Sequence, residues 1–117
     1  MRIGDIARRS GLSASRIRFY ERQGLIPVAA RSENGYRDYP MSVLETLDMI
    51  RQAQSLGFTL DEIRAELVQG GGEPPVGKQI LLALHEKLKV LEQHINQMTH
   101  RKQRIVSLIE KYEASHS

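Results

Sequence analysis

The chain has 117 residues, 40% of them hydrophobic, a net charge of +3 and no cysteine. That length holds one compact domain with an appendage, not two full domains. Without cysteine, disulfides, thiolate catalysis, iron–sulfur clusters and cysteine-based zinc sites are excluded for these residues. Two Phe, four Tyr and no Trp leave the core to aliphatic side chains. The opening MRIGDIARRSG has no apolar leader stretch, and no segment approaches the ~20 apolar residues of a membrane span. The expectation is a cytoplasmic protein with no membrane partner.

Charge is unevenly spread. Residues 1–40 carry eight basic and four acidic side chains, and all eight basic ones are Arg. Residues 41–69 reverse the balance, two against five, and residues 70–117 return to seven against five. An arginine fork suits phosphates and guanine edges, so the first third points to an anionic polymer.

In chain order, Ile3, Ile6 and Ala7 lie at helical spacing and predict a short amphipathic helix. Ser10-Gly11-Leu12 breaks it with a glycine turn. Ser13 is placed to cap a second helix, ASRIRFYERQ, which ends at Gly24. Two short helices about a tight turn, over residues 3–23, read as a helix-turn-helix whose second helix enters the major groove. Ile17 must then face inward, with Leu25 and Ile26 as core. Ser15, Arg16 and Arg18 remain on the outer N-terminal part of the second helix. Phe19 and Tyr20 are ambiguous: one belongs to the core, while an outward tyrosine hydroxyl would bond a phosphate.

The stretch RSENGYRDY follows. Asn34-Gly35 predicts a type I′ turn between two strands, making a wing over residues 30–39. Arg31 and Arg37 would neutralise phosphates, and Tyr36 would pack on sugar or bond a phosphate. Leu44, Leu47, Ile50, Ala53/Gln54 and Leu56–Gly57 predict one apolar stripe on a third helix. Thr59–Glu62 is a capping box opening a fourth helix with Ile63 and Leu67 inside, both helices falling within 42–69. The DNA-binding unit is thus placed at 1–70. GGGEPP marks a linker at 71–77.

From 78 to 113 the spacing alternates between three and four. Leu81, Leu84, Leu88, Leu91, Ile95, Met98, Lys102, Ile105, Ile109 and Tyr112 form one seam, apolar except for Lys102. A lone helix of about 50 Å, at ~1.5 Å per residue, cannot bury such a stripe on so small a domain. A second copy of the chain supplies the missing surface. Lys102 would set the register or mark where the partner helix ends. His85, His94, His100 and His116 offer no pair at i,i+3 or i,i+4, so no two share a helix face as metal ligands. No nucleophile, base and pocket cluster, and catalysis is not expected.

The sequence resembles the MerR family of bacterial transcription regulators. The residues that carry the likeness are IGDIARRSGLSASRIRFYERQGLI (3–26), RSENGYRDY (31–39) and QAQSLGFTLDEI (52–63). The resemblance implies a mainly α fold: a winged helix-turn-helix followed by a long helix forming an antiparallel coiled-coil homodimer. It implies binding to pseudo-palindromic promoter DNA with an unusually long spacer between the −35 and −10 elements. It implies activation by bending and untwisting that spacer until RNA polymerase can engage both elements. Carried over by position, recognition-helix contacts fall on Ser15, Arg16, Arg18, Phe19 and Tyr20. Wing contacts fall on Arg31, Asn34, Gly35, Tyr36 and Arg37.

Two departures stand out. Pro40-Met41 intervenes between the wing tyrosine and Ser42, so an altered helix start is expected. Metal- and redox-sensing relatives hold their effector with cysteines, which these residues lack, and a C-terminal domain large enough to enclose a drug-like ligand is not expected. No cofactor is therefore expected, and any small-molecule effector is unknown. Two other readings compete: an architectural DNA-bending factor of the excisionase type, and a coiled-coil interaction adaptor with the basic hairpin incidental. The long seam argues against the first, and loss of DNA binding by Arg18→Ala with an intact dimer would argue against the second.

Overall fold

The computed structural model describes residues 1–31, 33–69 and 77–116. They form two compact units, one within Met1–Val76 and one within Gly77–Ser117. The first holds α1 (Ile3–Ser10), α2 (Ala14–Arg22), β1 (Ala30–Arg31), β2 (Arg37–Asp38), α3 (Ser42–Ser55) and α4 (Leu60–Gln69). The second is a single helix, α5 (Gly77–His116). The expected linker at 71–77 lies outside the described residues apart from Gly77, which opens α5.

Local chemistry accounts for the boundaries. Gly11 stops α1 at φ 75°, a left-handed conformation that costs a residue with a Cβ, and its N–H donates to the Ala7 carbonyl at 3.0 Å. The Ser13 hydroxyl accepts from the Arg16 N–H at 3.1 Å and so opens α2. At α4 the capping box closes both ways: the Glu62 N–H donates to Thr59 Oγ1 at 3.1 Å, and the Thr59 N–H to Glu62 Oε1 at 3.0 Å. α3 begins differently. Met41 occupies its N-cap with no side-chain bond, and the Val43 N–H donates to the Pro40 carbonyl at 3.1 Å.

One core holds the first unit together. Ile6 of α1, Ile17 of α2, and Val43, Leu47 and Ile50 of α3 are buried, joined by Leu25, Ile26, Ile63 and Leu67. The inner face of α3 differs from the expected stripe. It runs through Val43, Thr46, Leu47 and Ile50, whereas Leu56 is 52% exposed. The reason is that α3 ends at Ser55, so Leu56 leaves the helical face as the chain turns toward Gly57. Buried Thr46 satisfies its hydroxyl by donating to the Ser42 carbonyl at 3.3 Å.

The wing corrects the turn assignment. A type I′ turn needs positive φ at both central residues. Among the described residues no non-glycine has positive φ, and only Gly35 of the Asn-Gly pair is left-handed, at φ 79°. The strands pair Ala30 with Asp38 and Arg31 with Arg37, so residues 32–36 form a five-residue connection. The chain start braces this ribbon. The Tyr39 N–H donates to the Met1 carbonyl at 2.7 Å, and the Met1 amino group donates to the Tyr39 carbonyl and Asp38 Oδ1, each at 2.6 Å.

α5 is 40 residues long, about 60 Å at ~1.5 Å per residue, and none of its described side chains is buried. Its apolar seam positions remain open, from 39% exposure at Leu84 to 62% at Ile95.

Candidate nucleic-acid interface

α2 carries the first half of the site. Its nine residues turn Ile17 and Tyr20 inward and leave Ser15, Arg16 and Arg18 exposed. Phe19 is half-buried against the core, with its ring 5.8 Å from that of Tyr20. The structure settles the ambiguity of this adjacent pair. Tyr20 is 3% exposed, so its ring belongs to the core. Its hydroxyl donates to Gln54 Oε1 of α3 at 3.1 Å and accepts from Arg16 Nε at 3.2 Å. Arg16 in turn lies over both rings, 5.2 Å from the Phe19 centroid and 5.1 Å from that of Tyr20. Gln54 thus holds the Tyr20 hydroxyl and Tyr20 restrains Arg16, a long side chain with many rotamers.

The wing carries the second half. Asn34 and Gly35 are exposed at its tip, and Tyr36 is 54% exposed. Arg31 and Arg37 sit directly opposite each other in the ladder. Like charges in that position destabilise a two-stranded ribbon. Glu21 of α2 relieves part of the cost, 3.6 Å from Arg37. The same carboxylate accepts a hydrogen bond from the Tyr39 hydroxyl at 2.5 Å. Tyr39 is buried at the end of the wing, and its hydroxyl pKa is raised above 10.0 by burial first and then by Glu21.

Glu21 and Tyr39 therefore tie the wing to α2, a role that no local pattern signals. Gln54 also escaped the sequence reading, because its spacing on α3 matched an apolar stripe. Of the eight arginines in residues 1–40, Arg8 pairs with Asp5 and Arg37 with Glu21. Among the described residues, Arg16, Arg18 and Arg31 have no carboxylate within ion-pair distance. The described residues contain no group of three or more His, Cys, Asp or Glu arranged to hold a metal.

Comparison with known proteins agrees with this geometry. The family profile described as MerR HTH family regulatory protein matches residues 1–69, and that described as MerR, DNA binding matches residues 44–108. Over 111 residues the chain is 37% identical to the HTH-type transcriptional regulator CueR of Yersinia pestis, covering 95% of this chain and 80% of that one. The transcription regulator PbrR691 from Ralstonia metallidurans CH34, in complex with lead(II), aligns with a TM-score of 0.59 at 32% identity, over 95% of this chain and 81% of that one. HiNmlR, a MerR family regulator lacking the sensor domain and bound to promoter DNA, shares the fold with a TM-score of 0.62 at 22% identity, over 86% of this chain and 76% of that one. No described helix is long and apolar enough to cross a membrane. From its helix-turn-helix, its wing and these matches along most of its length, the chain belongs to the MerR family of DNA-binding transcriptional regulators.

Proposed function

We propose that two copies of this chain pack their α5 helices antiparallel along the Leu81–Tyr112 seam and bind a pseudo-palindromic promoter site. Each α2 enters a major groove through Ser15, Arg16 and Arg18. Each wing grips the flanking backbone through Arg31, Tyr36 and Arg37, with Asn34 and Gly35 at its tip. Half-sites then fall on one face of the duplex, separated by a whole number of helical turns of about 34 Å each.

One observation carries the reading. The Arg31–Arg37 pair is a charged juxtaposition that costs the free protein stability and is repaid when a phosphate lies across it. The exposed stripe of α5 supports the dimer, since ten positions at alternating three- and four-residue spacing match a coiled-coil seam. Gripping DNA at two recognition helices and two wings supplies the several kcal/mol needed to deform a long spacer. RNA polymerase would then engage a realigned promoter without touching this protein directly. CueR, PbrR691 and HiNmlR are themselves transcriptional regulators, and no catalytic step is assigned here.

Footprinting on the chain's own upstream promoter, titrated with salt against random DNA, tests the proposal. Protection of a palindrome within a long spacer is expected, with Arg18→Ala losing it while remaining dimeric. Full binding by Arg18→Ala would overturn the recognition-helix assignment. Equal, weak binding of wild-type protein to both DNAs would favour an architectural factor.

A further inference from the structure

We propose that Arg2, stacked on Tyr36, is an additional DNA-backbone clamp, set in a cleft between the start of α1 and the wing. The proposal rests on the DNA-binding reading above and adds to it Arg2, a residue outside the recognition helix and the wing.

The Arg2 guanidinium lies 4.1 Å from the centroid of the Tyr36 ring. A guanidinium held over a ring face by cation–π attraction still offers N–H donors, a fork that fits two oxygens of one phosphate. The backbone fixes this pair although 34 positions separate its members. Met1 is bonded to Tyr39 in both directions, so Arg2 follows the wing ribbon closely. Among the described residues no carboxylate pairs with Arg2. Together they line an open cleft of about 700 Å³ that also includes Gly4, Asp5, Arg8 and Arg37. Asp5, the carboxylate on that wall, is engaged by Arg8. Arg8 and Asp5 cancel and Glu21 offsets part of Arg37, so Arg2 carries most of a net positive charge in the cleft.

Gly4 points the same way. Glycine weakens a helix relative to alanine, yet its φ here is not positive, and an added Cβ would meet no atom of the chain within 4 Å. The fold itself has no need of glycine at this position. A cleft wall kept free of side chain is suited to the close approach of an outside group, and the cationic lining selects an anionic one. A phosphodiester of the duplex fits that chemistry, in a contact that carries no base information.

The test is binding of the full dimer to operator and random DNA across a salt series, with Arg2→Ala compared against Arg9→Ala, a change of equal charge within α1. Arg2→Ala should weaken both DNAs by the same factor and flatten the log K against log salt slope by about 0.9 per contact, or about 1.8 for the dimer. Arg9→Ala should lie near the wild-type slope. Gly4→Ala should retain or raise the melting temperature while lowering affinity for both DNAs. An Arg2→Ala slope equal to wild type, an equal loss in Arg9→Ala, or a loss confined to the operator would each overturn the clamp. Those results would leave the functional reading intact, because wild-type protein would still bind. Wild-type protein that bound no DNA would sink both.

Discussion

Replacing Tyr39 with Phe isolates the bond that ties the wing to α2. The ring of Tyr39 fills the core and is 1% exposed, and Phe keeps that volume. Only the hydroxyl is lost, which donates at 2.5 Å to Glu21 Oε2. The Glu21 side chain is 9% exposed, so water replaces the missing donor poorly. A hydrogen bond to a charged group contributes about 1.5–3 kcal/mol net. Arg37, 3.6 Å from the same carboxylate, keeps part of its compensation, which places the expected loss toward the lower end of that range.

Urea unfolding of wild type and Tyr39→Phe, followed by circular dichroism at one protein concentration, measures it. The same pair has an alkaline signature. The folded protein holds the Tyr39 proton more tightly than the unfolded chain, whose tyrosine titrates near 10.0. Stability from this bond is therefore complete below about pH 10 and falls as pH rises through the raised folded value. The gap between wild type and Tyr39→Phe should narrow steadily in that range. A loss below about 0.5 kcal/mol near neutral pH, or a gap that does not change with alkalinity, would refute the argument.

Tyr20→Phe removes the hydroxyl between Arg16 and Gln54 and should cost about 0.5–1.5 kcal/mol in chemical denaturation, with operator affinity falling more than random-DNA affinity; a uniform fall would mean that Arg16 does not read bases. Thr59→Ala breaks the α4 capping box and should lower stability by about 0.5–2 kcal/mol without changing the dimer, as sedimentation and melting would report together. Ile95→Glu places a charge at the middle of the α5 seam and should give monomers in sedimentation equilibrium, whereas an intact dimer would locate the interface elsewhere. Lys102→Leu should tighten the dimer by removing the seam's one charge, and weaker association would show that Lys102 makes a favourable contact across it.

Much of this chain was legible one segment at a time, because the signals are local. Ser13, Thr59, Glu62 and Gly11 announce helix ends through bonds that span four residues or fewer. The α5 seam is a periodicity that needs no partner to be seen. The outward placement of Arg16 and Arg18 follows from Ile17 facing in, since helix geometry ties one to the other.

Tertiary structure decided what periodicity leaves degenerate. Phe19 and Tyr20 are neighbours of similar size, and their burial depends on where α3 brings Gln54, 34 positions from Tyr20. Tyr36 and Tyr39 share one short ribbon, yet one stacks on Arg2 at the surface while the other reaches Glu21 in the core. The ladder register, which sets Arg31 against Arg37 and leaves a five-residue connection, overrode the Asn-Gly signal for a two-residue turn. Local composition names the residue types that can bind an anion. Only packing between distant segments determines which of them face solvent, which are held in place, and which hold the others.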